Sequence, residues 1–223
     1  MGGLLLIAVL AVPVVIAITF HEAAHGYAAH LLGDDTAERE GRLTLNPLAH
    51  IDQWGTLLLP AVMLLTLGIA FGYAKPVPIE VEKLKNPKRD IALIAVSGPL
   101  VNLLLALTIA LLFLLTRSLS QSYPLWQAVL HSSIVVNFIL IILNLIPLPP
   151  LDASKLFTAI WPGVFSKAYE LIEPYGYLIV ILFILVFPLV APMLGVSWDV
   201  TGYYLIRPAY NLTDLLLSAL GAT

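Results

Sequence analysis

His21, Glu22 and His25 stand within five positions at the end of an otherwise apolar run. Four positions apart on a helix, the two histidines lie about 40° apart around the axis and one turn apart along it. Imidazoles placed in this way can bind one Zn²⁺, and Glu22 between them can act as general base toward a water on the metal. The chain has no cysteine, so disulfides and thiolate sites are excluded and any metal must be held by His, Asp or Glu. The competing reading makes both histidines interfacial polar groups satisfied by backbone carbonyls. That reading leaves two histidines and a glutamate buried without a metal, and ionisable groups at membrane depth are costly.

A catalytic zinc needs a third protein ligand and an open fourth position. His30 falls about 180° from His21 around the same helix and points away. Ala28 and Leu31 also break the HExxHxxGxxH spacing that would recruit a nearby histidine. Glu38 and Glu40 follow on the next loop and could fold back. Asp34 and Asp35, after Gly33, read as a solvated turn that ends the helix. A more distant candidate is Asp152, in the stretch NLIPLPPLDASKL from Asn144 to Leu156. Its three prolines remove backbone donors and stop a helix from continuing. An irregular chain there can aim Asp152 sideways, and the alternative is that Asp152 caps a helix starting at Ala153.

The elements that must position these groups belong to a membrane. Of 223 residues, 60% are hydrophobic and 11% charged, and the mean hydropathy is +0.95. Soluble domains carry about a quarter charged residues. A net charge of −3 gives no reason to expect nucleic acid or another polyanion as partner. The N-terminal MGGLLLIAVLAVPVV lacks the basic flank and small-residue cleavage site of a secretory signal, so it reads as the start of a first span. Stretches near the roughly 20 residues a span requires run from Leu4 to Leu32, Thr56 to Gly72, Ile91 to Thr116, Ala128 to Leu145 and Tyr177 to Leu194. Val200 to Leu220 is apolar but interrupted by Arg207, Pro208 and Asp214. The pattern predicts an all-α polytopic membrane protein, a single domain over residues 1–223, with about five to six transmembrane helices.

The basic residues orient it. Five lie between Lys75 and Arg89; Arg39 and Arg42 follow the first span, and Lys155 and Lys167 follow Asp152. A full crossing by Thr56 to Gly72 would put the Lys75 loop opposite the Arg39 loop. A re-entrant path near residues 54–74 puts all three loops on one side, with nine of the eleven basic residues, which the positive-inside rule makes cytoplasmic. Pro60 and Gly68 suit such a broken path, provided its free backbone groups are covered by protein or face water. His25 and Asp152 then both lie at the cytoplasmic ends of their helices, where a metal site can close across them.

Taken together, HEAAH at His21 to His25, SGPLVN at Ser97 to Asn102 and NLIPLPPLDAS at Asn144 to Ser154 resemble the site-2 protease family of intramembrane zinc metalloproteases. GRLTLNPLAHID, from Gly41 to Asp52, and GYAKPVPI, from Gly72 to Ile79, look like its small bacterial and archaeal branch without PDZ or CBS domains. The resemblance covers Thr19 to Leu156. It implies that His21, His25 and Asp152 bind Zn²⁺ and that Glu22 is the catalytic base. It further implies that Asn144 and Asn102 contact substrate, with helix packing as the other reading of Asn102, and that Gly98 and Pro99 let their helix start close to its neighbours. The expected activity is hydrolysis of peptide bonds in membrane-embedded protein or peptide substrates by a prokaryotic cell-membrane enzyme. Self-association stays open, and no nucleic acid is expected. The family usually has glycine after the aspartate. Ala153 stands there, which would cost about 1 kcal/mol if a positive φ were required.

Two other classes fit parts of the pattern: a membrane metal or small-solute transporter, and an inactive zinc-binding membrane scaffold. No inverted repeat is visible for the first, which also has no evident need for Glu22 between the ligands; the second would be favoured if Glu22 were dispensable. The extended-looking AKPVPIEV, Ala74 to Val81, reads either as an edge that pairs with an unwound substrate or as a plain solvated loop. Trp54, Trp126, Trp161 and Trp198 lie near span ends, as interface anchors do. His131 reads as interfacial, at the start of the fourth span. His50 reads as part of a loop, with support of the metal site as the alternative.

Overall fold

A computed structural model describes residues 2–59, 72–119, 122–161, 163, 166–195 and 201–222. Among these, every regular element is helical. Helix α1 (Gly2–Leu31) carries His21 and His25 on its last turns. It stops at Gly33, whose φ of +112° favours glycine. The next amide, Asp34 N–H, folds back to the Ala29 carbonyl at 3.0 Å and satisfies one of the helix's last acceptors.

Helix α2 (Pro87–Leu115) begins with proline, whose missing N–H costs nothing at that position. Asp90 reaches back to accept the Asn86 N–H at 2.8 Å. Helix α3 (Pro124–Asn144) also starts on a proline, and α4 (Asp152–Ile160) follows a seven-residue break, 145–151. The two helices long and apolar enough to cross a membrane are α2 and α3, among the described residues.

Their packing inverts the soluble pattern. At intervals of four, α2 turns Ile94, Gly98, Asn102, Ala106 and Ala110 inward, all buried. Its leucines at 93, 100, 104, 107 and 111 face outward, half-exposed. Small residues let helix backbones approach closely. The contacts fix the directions. His25 meets Ile94 and Asn102 reaches Ala17, so α1 and α2 are antiparallel. Ser132 donates to the Val9 carbonyl, and Asn137 meets the Asn102 amide that reaches Ala17, so α3 runs parallel to α1.

Beyond α4, residues 176–194 make one helical run whose turn changes along its length, where the span Tyr177 to Leu194 is expected. The tail forms a second run, 202–219, ending in α5 (Arg207–Ala219). Ala209, Thr213 and Leu217 share its buried face. Ala209 and Leu217 pack with Ala106 and Ala110 of α2 and Ile134, Val135 and Phe138 of α3, so the tail belongs to the bundle.

Several sequence expectations shift. Gly98 and Pro99 do not start a helix; they lie inside α2, eleven and twelve residues past its first residue. His131 is two turns into α3, beside Phe113 and Tyr210 at ring distances of 6.5 and 6.1 Å, because α3 begins at Pro124 rather than Ala128. Asp34 is not a solvated turn residue but fully buried. The re-entrant stretch falls largely on residues 60–71, outside the described residues, as does Trp198; its entry, Gln53–Leu58, is a wide helical turn capped by Asp52.

Candidate metal centre

His21, His25 and Asp152 come from α1 and from the first residue of α4, and all three are buried. The Nε2 atoms of the two histidines are 3.2 Å apart. His21 Nε2 lies 3.1 Å from Asp152 Oδ2, and His25 Nε2 lies 3.2 Å from Oδ1. A tetrahedral zinc with bonds of about 2.0–2.1 Å requires donors roughly 3.3 Å apart. The three separations fit that edge length.

The outer ring nitrogens decide what the inner ones can do. His25 Nδ1 is 2.7 Å from the Ile94 carbonyl, which can only accept. His21 Nδ1 is 2.6 Å from Asn102 Oδ1, also an acceptor. Each neutral ring therefore carries its proton on Nδ1 and turns an Nε2 lone pair inward. Two lone pairs and a carboxylate then converge, and Asp152 Oδ2 is buried with no hydrogen-bond donor. Such a cluster is stabilised by a cation at its centre.

Gly98 makes room for it. A Cβ at that position would lie 2.5 Å from His21 Cε1 and 2.6 Å from His25 Nε2. Glycine on α2 is thus required by the two imidazoles, not by a turn.

Asp152 is held from behind by the 145–151 segment. Its N–H donates to Asn144 Oδ1 at 3.4 Å, and Asn144 Nδ2 donates to the Leu140 carbonyl at 3.0 Å. The Tyr169 hydroxyl donates to the Pro147 carbonyl at 2.6 Å, and Gly176 packs its bare Cα against the Pro149 carbonyl. Asp152 opens α4 as its first helical residue and caps nothing with its side chain. Ala153 next to it is helical and buried, and no residue other than glycine has a positive φ among those described. The methyl is absorbed without backbone strain.

The site opens on a cavity of about 460 Å³. Glu22 lies on its wall with Asn144, Lys155, Tyr73 and Tyr177. Glu22 Oε2 accepts the Val77 N–H at 3.1 Å. Val77 belongs to the stretch 72–80, which forms no regular element, runs along the cavity and is tied down elsewhere. Lys75 N–H donates to the His50 carbonyl, Arg42 Nη2 donates to the Lys75 carbonyl, and Glu80 N–H donates to Asp34 Oδ2. Burial pushes the Asp34 carboxyl up. Bonds from the Thr36 hydroxyl and the Glu80 and Thr36 amides, with Lys83 nearby, outweigh that and hold it below its usual value.

Several expected residues stay away from the centre. Asn102, for which the sequence leaves both substrate contact and helix packing open, is fully buried behind His21 and is not among the residues lining the cavity. His30 pairs with Glu38 at 3.4 Å on the exposed side of the loop, and Glu40 is exposed. His50 braces its own loop through Nε2–H to the Thr44 carbonyl. Asn137 and Tyr177 escaped the sequence reading, and Val77 entered it only as part of the stretch Ala74 to Val81. The signal for Asn137 was an amide in the middle of an apolar helix, where polar side chains bond across to neighbours.

No family model matches the chain, and no solved structure does. Two curated proteins do. The chain is 35% identical over 207 residues to "Putative zinc metalloprotease YwhC" of Bacillus subtilis, covering 85% of this chain and 87% of that protein. It is 28% identical over 208 residues to "Putative zinc metalloprotease Rip2" of Mycolicibacterium smegmatis, covering 90% of this chain and 73% of that protein.

Proposed function

The chain belongs to the site-2 protease family of zinc metalloproteases, and from that premise we propose that it is a zinc-dependent endopeptidase acting on membrane-embedded protein or peptide substrates. The observation that carries this reading is the closed group of His21, His25 and Asp152 beside Glu22 on one cavity. His21, His25 and Asp152 would hold the metal, and all three also line the cavity. Zinc there supplies Lewis acidity, polarising a carbonyl and making water easy to deprotonate near neutral pH.

This chain's own groups do the rest. Glu22 accepts a proton from water and later delivers it to the leaving amine. The Val77 N–H on Oε2 steadies the carboxylate while Oε1 handles the proton. Asn144 Nδ2 has one hydrogen committed to the Leu140 carbonyl, and its second is available to a substrate carbonyl. Substrate must be locally unwound, since a helix hides its carbonyls in i to i−4 bonds. Pro76, Val77 and Ile79 on the cavity wall run where such a segment would lie.

The domain spans residues 1–223 as a multi-pass membrane protein of five to six spans: α1, α2, α3, the 176–194 run and the 202–219 run, with a re-entrant segment near 54–74. Outward leucines on α2 support it. The two basic loops also meet at one end: Lys83 Nζ reaches Asp35 Oδ1 at 3.3 Å, and Arg42 holds the Lys75 carbonyl. Joining them on one face supports a path that dips in and returns, with the active site toward the cytoplasm.

The test is purified wild type and Glu22→Gln in detergent, each assayed for zinc content and for cleavage of a synthetic transmembrane peptide. Wild type is expected to cut within the apolar segment and to stop on chelation. Glu22→Gln is expected to keep its zinc and lose activity by about 10²–10⁴-fold. A zinc-loaded wild type that cuts no membrane peptide, or an equally active Glu22→Gln, would sink the proposal.

A further inference from the structure

The two metal-facing histidines are oriented by different means. His25 is held by the Ile94 backbone carbonyl, which cannot change its character. His21 is held by the Asn102 side chain, an amide that presents either an acceptor or a donor depending on which way it is turned. Turned the wrong way, Asn102 would offer N–H to His21 Nδ1, move the ring proton to Nε2 and remove the lone pair that binds metal.

We propose that Asn137 is the positioning residue that locks this choice, through a relay running from Ser133 through Asn137 and Asn102 to His21. Asn137 Nδ2 donates to the Ser133 carbonyl at 2.8 Å. That oxygen only accepts, so Asn137 must turn its amide nitrogen to it and its Oδ1 to Asn102. Asn102 Nδ2 then donates to Asn137 Oδ1 at 2.8 Å, with a longer 3.4 Å contact to the Ala17 carbonyl. Asn102 Oδ1 is left for His21 Nδ1–H at 2.6 Å. Each step allows only one direction, and a backbone oxygen on α3 sets the tautomer of a metal ligand on α1. Both amides are almost wholly buried, at 0% and 1% exposure, so water cannot substitute for either partner. Ala106 and Ala110 further along α2, and Ser133 on α3, keep the helices close enough for the bonds to form. Asn137 touches neither the cavity nor the metal ligands, and its whole influence passes through Asn102. The inference rests on the zinc reading of the His21, His25 and Asp152 group.

The experiment is a double-variant cycle on the full chain in detergent, read as zinc affinity by chelator competition, with helicity and melting followed by circular dichroism. Asn137→Leu removes the lock while filling the space. It is expected to keep its helicity and bind zinc about 10–100-fold more weakly, as loss of a ligand's supporting partner does. Asn137→Ala serves in its place if the leucine variant does not fold. Asn102→Asp supplies His21 with a carboxylate that can only accept, so no lock is needed. In that background, Asn137→Leu is expected to leave affinity within about threefold of Asn102→Asp alone, or to tighten it, because coupled sites are not additive. A merely structural Asn137 would cost the same in both backgrounds, and that result would overturn the relay. So would unchanged zinc affinity in a folded Asn137 variant while wild type binds zinc. A wild type that binds no zinc at all overturns the metal reading itself, and the relay falls with it.

Discussion

The Nε2 atoms of His21 and His25 face each other at 3.2 Å with both outer nitrogens committed to acceptors. Neither can donate to the other, so their approach is repulsive until a cation lies between them or a proton is taken up. Asp152 adds the charge that makes the pocket cationophilic, and it comes from 127 residues further along the chain. Replacing Asp152 with alanine leaves two imidazoles, one ligand too few for a stable zinc site. Metal analysis of purified wild type should give one zinc per chain, and Asp152→Ala should lose most of it after dialysis against a weak chelator. Zinc retained in Asp152→Ala would place the third ligand elsewhere.

Gly98→Ala sets two effects of opposite sign against each other. Alanine gains up to about 1 kcal/mol over glycine inside a helix. The new methyl, however, would sit 2.5 Å from His21 Cε1 and 2.6 Å from His25 Nε2. Overpacking of that kind costs roughly 1–3 kcal/mol, and the rings can relieve it only by leaving the geometry that binds zinc. Steric cost wins. Gly98→Ala should melt lower than wild type and bind zinc at least about tenfold more weakly, since ligand orientation governs affinity. Wild-type zinc affinity in a folded Gly98→Ala chain would show that the rings have room to spare.

The candidate metal ligands were legible because their chemistry is tied to residue type. HEAAH states its own helical spacing, and the prolines before Asp152 announce a break that frees a side chain to turn inward. What supports those ligands was far less visible. Asn102 carried a motif, yet its partner in the motif could as well have been a substrate. Only the antiparallel approach of α1 and α2, set by the buried glycine and alanines of α2, places it behind His21. Asn137 carried no motif, and its relevance appears only once α3 is packed against α2. Asp34 was misread for a related reason: a Gly-Asp-Asp sequence looks like a solvated turn, and only the return of residues 72–86 over the end of α1 buries it. Local pattern fixes periodicity and breaks, while burial of a loop carboxylate depends on segments 46 residues apart, as between Asp34 and Glu80.

That buried carboxylate gives the stretch beside Glu22 its pH dependence. Asp34 Oδ1 accepts the Thr36 N–H and hydroxyl, Oδ2 accepts the Glu80 N–H at 2.7 Å, and Lys83 Nζ lies 3.9 Å away. Lys83 also bonds Thr36 Oγ1 and pairs with Asp35 and Glu80, which hold the lysine above its usual pKa, so it stays charged throughout the acid range. Asp34 is depressed in the folded chain relative to 3.8 when unfolded. Its contribution is therefore complete above that value and lost as the pH falls through the lower, folded one. Limited proteolysis of residues 72–86 should be slow and flat from about pH 7 down to about pH 5, and faster in stronger acid. The substitution Asp34→Asn would turn an amide N–H toward either the Thr36 or the Glu80 donor, leaving a buried donor without an acceptor at a cost of about 1–3 kcal/mol. Cleavage in that variant should already be fast at neutral pH, with the acid-dependent step gone. A variant as resistant as wild type at neutral pH would mean that the bonds to Arg42, His50 and Glu22 suffice to hold the stretch against the site.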